Sequence, residues 1–387
     1  MTKERNIKLF YIHELFFQFN ESMLAIVLPI FIYKLFDSIS AVFLFTFVWG
    51  TFYFIFFIPT FNLAMKLKNP KYFMALGIIF YIIALTLFGK TTQNNINLMY
   101  LATLFFAMYI TFYWMVRHWF FSVNSDYTKI GKQISTLNII KILIGFIAPI
   151  VGGFLSLFVS FNASFVLGAG AGILSLIPIL LFNAPPHPRG YNIKKIIGIL
   201  KKPELKAISP TYFWEGIGSV FINWTWVLIF AIFIGNILDL GILFGVSTLA
   251  IALTTWLSGN WFDKRKRTTI LKQVVGFKFL STLLYTSVFL FPNIIFVWAI
   301  EFANRISTTA LYTVSDSYLY AYSNKIHPIH FHLNREIWMS MSRISSAGIL
   351  AIIFYFLPAE YLWISIAIGA FSYLGWLTLK NSDHLLN

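Results

Sequence analysis

Residues 259–267 read Gly-Asn-Trp-Phe-Asp-Lys-Arg-Lys-Arg, a short basic stretch between two long apolar runs. Further runs of apolar residues, separated by short loops, lie on both sides of it. A helix needs roughly 20 apolar residues to cross the hydrocarbon core of a bilayer. The sequence therefore predicts a polytopic membrane protein in which residues 259–267 form a tight connection at the membrane surface.

The composition excludes an ordinary soluble domain. Of the 387 residues, 58% are hydrophobic and only 11% are charged, whereas soluble domains carry about 25% charged residues. Continuous apolar runs indicate membrane-spanning helices, because a transmembrane barrel shows short alternating segments instead. The chain has no cysteine, which excludes disulfides and thiolate chemistry.

Twelve apolar spans are predicted, each long enough to cross a bilayer, some with tilt. They cover residues 9–35, 39–61, 72–88, 96–121, 134–158, 163–182, 208–234, 237–256, 270–291, 294–321, 337–357 and 362–379. The first is interpreted as a retained helix, since its polar residues and the lack of a small-residue cleavage site argue against a signal peptide.

The net charge of +15 is concentrated in alternate loops. Lysine and arginine precede the first span and follow every second one, while the opposite loops hold few charges. This asymmetry obeys the positive-inside rule and needs no nucleic-acid partner. It predicts a cytoplasmic (inner) membrane protein with both termini in the cytoplasm.

The longest connection follows the sixth span and contains three prolines within residues 184–190. Residues 193–202 have isoleucine and leucine on one helical face with lysines beside it, which predicts a basic amphipathic helix on the inner leaflet. This loop divides the chain into an N-terminal six-helix lobe (1–183), a linker (184–206) and a C-terminal six-helix lobe (207–387), an arrangement that suggests an internal repeat.

The residues Gly259, Asp263, Lys264 and Arg267 resemble the signature loop of the major facilitator superfamily, which follows the second span of each six-helix half. This copy follows the eighth span, where that family places its second copy. Lys266 and Thr268 depart from the pattern. The first-half counterpart, residues 62–71, lacks both the glycine and the aspartate.

A second segment, Ala148-Pro149-Ile150-Val151-Gly152-Gly153, resembles the Gly-Pro-x-x-Gly-Gly segment of superfamily exporters in the fifth helix. Pro149, Gly152 and Gly153 predict a kink and a close helix contact. Together the resemblances imply an all-α fold of twelve transmembrane helices in two pseudo-symmetric lobes and transport by alternating access, without identifying a substrate.

Polar residues recur within four of the spans. A charged group at the bilayer centre costs on the order of 3 kcal/mol and therefore tends to face the bundle interior and to be functional. The first, fourth, seventh and tenth spans carry Glu14, Gln18 and Glu21; Tyr113 and Arg117; Glu215, Asn223 and Trp226; and Glu301, Arg305, Tyr312 and Asp316. The family resemblance implies that these four helices line a central cavity.

Several roles are predicted for these residues. Arg305, one helical turn from Glu301, is the candidate for binding an anionic substrate group or for exchanging partners with Glu21. Glu21 and Glu215 are candidates for proton uptake, because burial disfavours an uncompensated carboxylate. The alternative is a set of structural ion pairs.

Three further cations lie inside spans. Lys141 and Arg343 are predicted either to snorkel to the inner surface or to form gating pairs with carboxylates such as Asp316 or Glu14. Lys278 is predicted to snorkel.

No metal site, cofactor site or catalytic arrangement is predicted. His327, His330 and His332 cluster after the tenth span, but the loop offers no cysteine and no carboxylate except Glu336. Neither a Ser-His-Asp order nor a nucleotide-binding loop is visible.

The sequence thus favours a monomeric secondary transporter, not an enzyme, that moves a small polar or anionic solute with protons across a lipid bilayer. Efflux of amphipathic drugs or lipids, a lipid-modifying membrane enzyme and a non-transporting sensor remain alternatives.

Overall fold

The computed structural model describes residues 2–67, 69–125, 130–183, 198, 200–262, 267–291, 293–323 and 328–382; side chains at residues 2, 130–132, 134, 256–262, 267, 316–323, 328–329 and 380–382 lie outside this set. The twelve helices named here, all within the described residues, are α1 (Thr2–Phe36), α2 (Ile39–Lys66), α3 (Lys71–Lys90), α4 (Asn97–Asn124), α5 (Ile130–Phe158), α6 (Phe161–Leu180), α7 (Pro203–Phe233), α8 (Ile237–Phe262), α9 (Arg267–Leu283), α10 (Ile294–Ser323), α11 (Pro328–Phe356) and α12 (Leu362–Ser372).

The helices form two lobes, as the sequence predicts. In the first lobe α3 packs on α4 and α6, α1 packs on α5 and α6, and α2 packs on α4. In the second lobe α11 packs on α7, and α10 packs on α8 and α9. The lobes meet chiefly through two helix pairs, α2 with α11 and α5 with α8, with smaller contacts of α1 with α7 and α8 and of α4 with α11. The exact lobe boundaries remain a prediction, because residues 184–197 lie outside the described set.

Eleven helices within the described residues are long and apolar enough to cross a membrane. The remaining one, α9, has 17 α-helical residues and continues as a 3₁₀ segment, Leu284–Phe289. The chain is therefore a multi-pass membrane protein. The side of the helix bundle at which α1 begins is here named the terminal side.

Short polar turns connect the helices on the opposite side. The Ser38 side chain accepts a hydrogen bond from Ala41 N at 3.3 Å at the start of α2, and Ser160 does the same for α6 at 3.1 Å from Ala163 N. Asp37 has a φ of 47°, a left-handed conformation that aspartate tolerates better than most residues. These residues reverse the chain within a few positions.

The Pro149–Gly153 segment forms a close contact between the lobes. A Cβ atom at Gly153 would lie 2.6 Å from the Ile237 carbonyl oxygen, and one at Gly245 would lie 2.5 Å from the Phe146 carbonyl oxygen. Glycine at these positions lets the backbones of α5 and α8 approach closely. The close contact expected from the sequence is thus a contact between lobes.

Two predicted loops are partly helical. Helix α11 begins at Pro328, so His330 and His332 belong to a helix, and the prediction that they lie in a loop was wrong. Polar residues outside the membrane can continue a helix without an apolar pattern. Helix α8 likewise extends to Phe262 and includes Gly259, whereas Asp263 and Lys264 lie outside the described residues, as does the side chain of Arg267.

Candidate functional site

A cavity of about 500 Å³ lies at the boundary between the lobes. One wall comes from the first lobe, where α1 contributes Ser22 and Ala25 and α5 contributes Lys141. The larger wall comes from α7 to α10 and the segment after α12. Its polar and aromatic lining residues are Glu215, Ser219, Asn223, Trp224, Trp226, Phe244, Thr248, Lys278, Tyr285, Glu301, Asn304, Arg305, Thr308, Tyr312 and Tyr373.

Glu301 is the most heavily bonded carboxylate of this cavity. It is 1% exposed and accepts hydrogen bonds from Arg305 Nε at 2.6 Å, from Ser247 Oγ at 3.4 Å and from the Tyr285 hydroxyl. The Arg305 guanidinium also lies over the Phe244 ring, 4.7 Å from its centroid. Arg305 therefore has its own counter-ion within the helix, as the spacing predicts, and its described salt bridge is with Glu301, not Glu21.

Lys278 occupies a different environment. It is 2% exposed, lines the cavity, and donates to Asn304 Oδ1 and to Thr308 Oγ1, the latter at 2.7 Å. Its ammonium lies 4.7 Å from the centroid of the Tyr373 ring. The prediction that Lys278 snorkels to the membrane surface was wrong, because neighbouring helices hold its ammonium at the cavity wall.

Aromatic rings cover much of the second-lobe wall. Trp226 stacks on Tyr285 with ring centroids 3.9 Å apart and an interplanar angle of 23°. Trp226 is 3% exposed, and its indole N–H is without a hydrogen-bond partner in the structure. This wall therefore combines a flat apolar surface with one hydrogen-bond donor, the Trp226 indole N–H, that has no acceptor.

Helix α7 carries a π-helical segment, Ser219–Trp224, next to the cavity. Such segments occur frequently at functional sites, since the wider turn re-aims the side chains. Glu215, one turn earlier, accepts a hydrogen bond from Arg335 Nη2 at 3.3 Å, and Ser219 Oγ accepts one from Arg343 Nε at 3.2 Å. Arg343 thus bonds to the π-helical segment.

The polar residues of α1 and α4 form a separate network inside the first lobe. Glu14 is fully buried and accepts hydrogen bonds from Arg117 Nε at 2.7 Å and Arg117 Nη2 at 2.6 Å. Gln18 donates to Glu14 at 3.3 Å, and His13 bonds to the Tyr113 hydroxyl at 2.7 Å. This network satisfies a buried ion pair from several directions, which buried charges require.

Glu21 ends this network near the middle of α1. It is partly exposed and accepts a hydrogen bond from the Tyr109 hydroxyl at 3.0 Å. Among the salt bridges between described residues, none includes Glu21. Glu14 and Glu21 therefore differ, since only Glu14 has an arginine as counter-ion.

The predicted site residues therefore fall into two groups. Lys141, Glu215, Asn223, Trp226, Glu301, Arg305 and Tyr312 line the cavity, whereas Glu14, Gln18, Glu21, Tyr113 and Arg117 belong to the first-lobe network. The side chain of Asp316 lies outside the described set. Sequence reasoning missed Lys278, Tyr285, Asn304, Thr308 and Tyr373, although Asn304 and Thr308 are spaced one turn apart beside Arg305.

Comparisons with known proteins agree with this architecture. A family model described as Major Facilitator Superfamily matches residues 11–326. The chain is similar in fold to a crystal structure of a POT family transporter in complex with 5-aminolevulinic acid, with a TM-score of 0.77, 12% identity, and coverage of 96% of this chain and 95% of that one.

Two further structures have the same fold. One is a POT family transporter in complex with a thioalcohol-conjugated peptide, with a TM-score of 0.76 at 12% identity, covering 96% of this chain and 95% of that one. The other is the peptide transporter POT in complex with sulfate, with a TM-score of 0.73 at 13% identity, covering 99% of this chain and 95% of that one. No curated protein matches the sequence.

Proposed function

Because the chain belongs to the major facilitator superfamily and is a transporter, not an enzyme, we propose that it moves a small anionic solute together with protons through the cavity between its lobes. The proposal includes alternating access, in which the two lobes rock about the cavity between them. It also places the terminal side in the cytoplasm, in accord with the positive-inside rule.

The charge of the cavity wall carries the proposal for an anionic solute. The lining contains three cations, Lys141, Lys278 and Arg305, and two carboxylates, Glu215 and Glu301, which leaves an excess of one positive charge. Its volume of about 500 Å³ suits a small molecule, for which pockets of about 300–1,000 Å³ are usual. A cavity wall with this charge attracts an anion and disfavours a cation.

The ligands in the similar structures support the same class of solute. One of these structures holds sulfate, an anion, and another holds 5-aminolevulinic acid, which carries a carboxyl group, and the proposal assigns the same kind of group to the solute of this chain. We also propose that the transporter is a monomer, in which the two lobes of one chain supply both walls of the cavity.

Glu21 is the proposed proton carrier. It lies within a membrane-spanning helix, bonds to a neutral tyrosine hydroxyl, and takes part in no described salt bridge. Such a carboxyl can be neutralised by a proton at a smaller cost than one paired with arginine. Glu215 is the second candidate, since its hydrogen bond from Arg335 is long, at 3.3 Å.

The direct test is uptake into proteoliposomes with an imposed proton gradient. The probe is the compound that most raises the melting temperature of the purified protein in a panel of organic acids, amino acids, sugars and drugs. We expect Glu21→Gln to abolish gradient-driven accumulation while exchange between internal and external solute continues. Glu215→Gln is measured in parallel.

The matched control is Glu360→Gln, which makes the same chemical change at an exposed carboxyl and leaves Glu21 in place. If Glu21→Gln and Glu215→Gln both accumulate solute as wild type does, proton coupling through these residues is wrong.

A further inference from the structure

The starting observation is that two cations lining the cavity in the second lobe, Arg305 and Lys278, have different partners. Arg305 is paired with Glu301, whereas Lys278 is bonded to an amide oxygen and a hydroxyl, both uncharged. Among the salt bridges that join described residues, none includes Lys278. Its 2% exposure leaves little room for compensation by bulk water.

A buried ammonium without a counter-ion is costly, because neutral acceptors replace only part of its hydration. In membrane helices such charges commonly mark substrate or ion pathways. Lys278 lines the cavity, so an anion bound there can supply the missing counter-charge. The other lining cations are already engaged: Arg305 bonds to Glu301, and Lys141 takes part in another interaction.

A second observation points to the same wall. Trp226 lines the cavity, is 3% exposed, and has an indole N–H with no hydrogen-bond partner. An unsatisfied buried donor costs free energy, and an acceptor atom on a ligand that reached this N–H would remove that cost. The Tyr285 ring stacks on Trp226 with centroids 3.9 Å apart, and its hydroxyl donates a hydrogen bond to Glu301. The Tyr373 ring lies beside the Lys278 ammonium.

We propose that Lys278 and Trp226 form an anion subsite in the second lobe, and that it binds the carboxylate of a small organic monoanion with a flat body. This inference rests on the proposed function and narrows its substrate class. One cation without a counter-ion balances one negative charge, so a monocarboxylate fits better than a dianion. The aromatic wall suits a flat or unsaturated body, since rings stack on it with little loss of entropy.

The experiment compares binding of matched acids and amides. Purified full-length protein in lipid nanodiscs is titrated with benzoate, nicotinate and lactate, and with benzamide, nicotinamide and lactamide, by calorimetry and by thermal shift. The variants are Lys278→Met, Lys278→Arg and Trp226→Phe. Lys90→Met is the control, because Lys90 is exposed and is not part of the cavity lining.

For the wild type and Lys90→Met we expect at least one acid to bind about tenfold more tightly than its amide, a difference of about 1.4 kcal/mol. Lys278→Met should remove this preference, and Lys278→Arg should retain most of it because the charge remains. Trp226→Phe should weaken acid binding severalfold while the protein stays folded, since the ring survives and only the N–H is lost.

Two outcomes would overturn the subsite: no acid binds better than its amide to the wild type, or Lys278→Met keeps the preference. Uptake into proteoliposomes separates this failure from failure of the proposed function. Uptake of a neutral solute by the wild type would leave transport intact and refute the anion subsite. Acid binding through Lys278 without any uptake would support the subsite and refute transport.

Discussion

At the scale of single residues, the second lobe holds two buried charges of opposite sign in two different ways. Three donors converge on Glu301, among them Arg305 at 2.6 Å, so its charge is compensated. Lys278 contacts neutral groups and an aromatic ring. The contacts around Glu301 stabilise the fold. Lys278 lacks a counter-ion, which lowers stability and leaves its charge available to a ligand.

This difference predicts that Lys278→Met stabilises the ligand-free protein by about 1 kcal/mol or more, because a lone buried cation is replaced by an apolar side chain of similar length. Asn304 Oδ1 would keep a donor, since Thr308 Oγ1 lies 3.2 Å from it. The measurement is the melting temperature of purified protein without ligand.

Glu301→Gln is the contrast and should lower the melting temperature, since it leaves the Arg305 guanidinium without its counter-ion. A lower melting temperature for Lys278→Met would contradict the account.

Residue spacing could predict one of these arrangements and not the other. Glu301 and Arg305 are four residues apart on one helix, so their pairing follows from helical geometry. The partners of Lys278 lie on α10 and beyond α12, and no local pattern links α9 to them. Lys278 lies near the end of a predicted span, and this position suggested snorkelling. A single sequence does not show which face of α9 meets the cavity, so the actual partners could not be predicted.

At the scale of helices, the contact between α5 and α8 depends on glycine. A Cβ at Gly153 would lie 2.6 Å from the Ile237 carbonyl oxygen and 2.9 Å from Leu238 Cα, distances that require the backbone to shift. At Gly170, on α6, a Cβ would meet nothing within 4 Å. These two glycines therefore offer a matched comparison within the first lobe.

We expect Gly153→Ala to destabilise the contact by about 1–3 kcal/mol, as overpacking usually does. Gly170→Ala should be neutral or stabilising by up to about 1 kcal/mol, because alanine favours the helix. Thermal unfolding of both variants tests this, together with their uptake rates. Equal melting temperatures for the two variants would mean that the α5–α8 contact can loosen without cost.

Helix features were predictable only where residue type dictates geometry. The Pro-x-x-Gly-Gly segment indicated close helix packing, because small residues allow two backbones to approach. It did not indicate that the packing partner belongs to the other lobe. The π-helical segment Ser219–Trp224 has no comparable signal, since it contains neither proline nor glycine. The early start of α11 was missed for a similar reason, because its first residues are polar.

At the scale of the whole molecule, the two lobes divide the charged residues unequally. The cavity takes most of its polar lining from the second lobe, while Glu14 and Arg117 are bonded to each other within the first. The span pattern and the loop charges were sufficient to predict twelve helices in two lobes. They could not predict this asymmetry, because equivalent polar stripes on pseudo-symmetric helices look alike in sequence.

The lobes also touch on both sides of the cavity. On the terminal side the rings of His118, on α4, and His332, on α11, stack with centroids 5.0 Å apart. On the opposite side Ser40 Oγ donates to the Ala351 carbonyl oxygen at 2.6 Å, and Phe43 stacks on Phe354 with centroids 5.8 Å apart. Alternating access requires each of these contacts to break in turn.

The most direct test of this account is uptake after cross-linking the terminal-side contact. Because the chain contains no cysteine, His118→Cys with His332→Cys introduces one defined pair across the lobes. A reversible bis-methanethiosulfonate reagent joins the pair in proteoliposomes, and uptake of the tightest-binding acid is measured before linking, after linking and after reduction. The control is Asn6→Cys with Asn124→Cys, a pair within the first lobe whose native side chains are hydrogen-bonded at 2.7 Å. Alternating access predicts that the cross-link between the lobes stops uptake until it is reduced. The cross-link within the first lobe should leave uptake unchanged. Undiminished uptake with the lobes cross-linked would contradict alternating access.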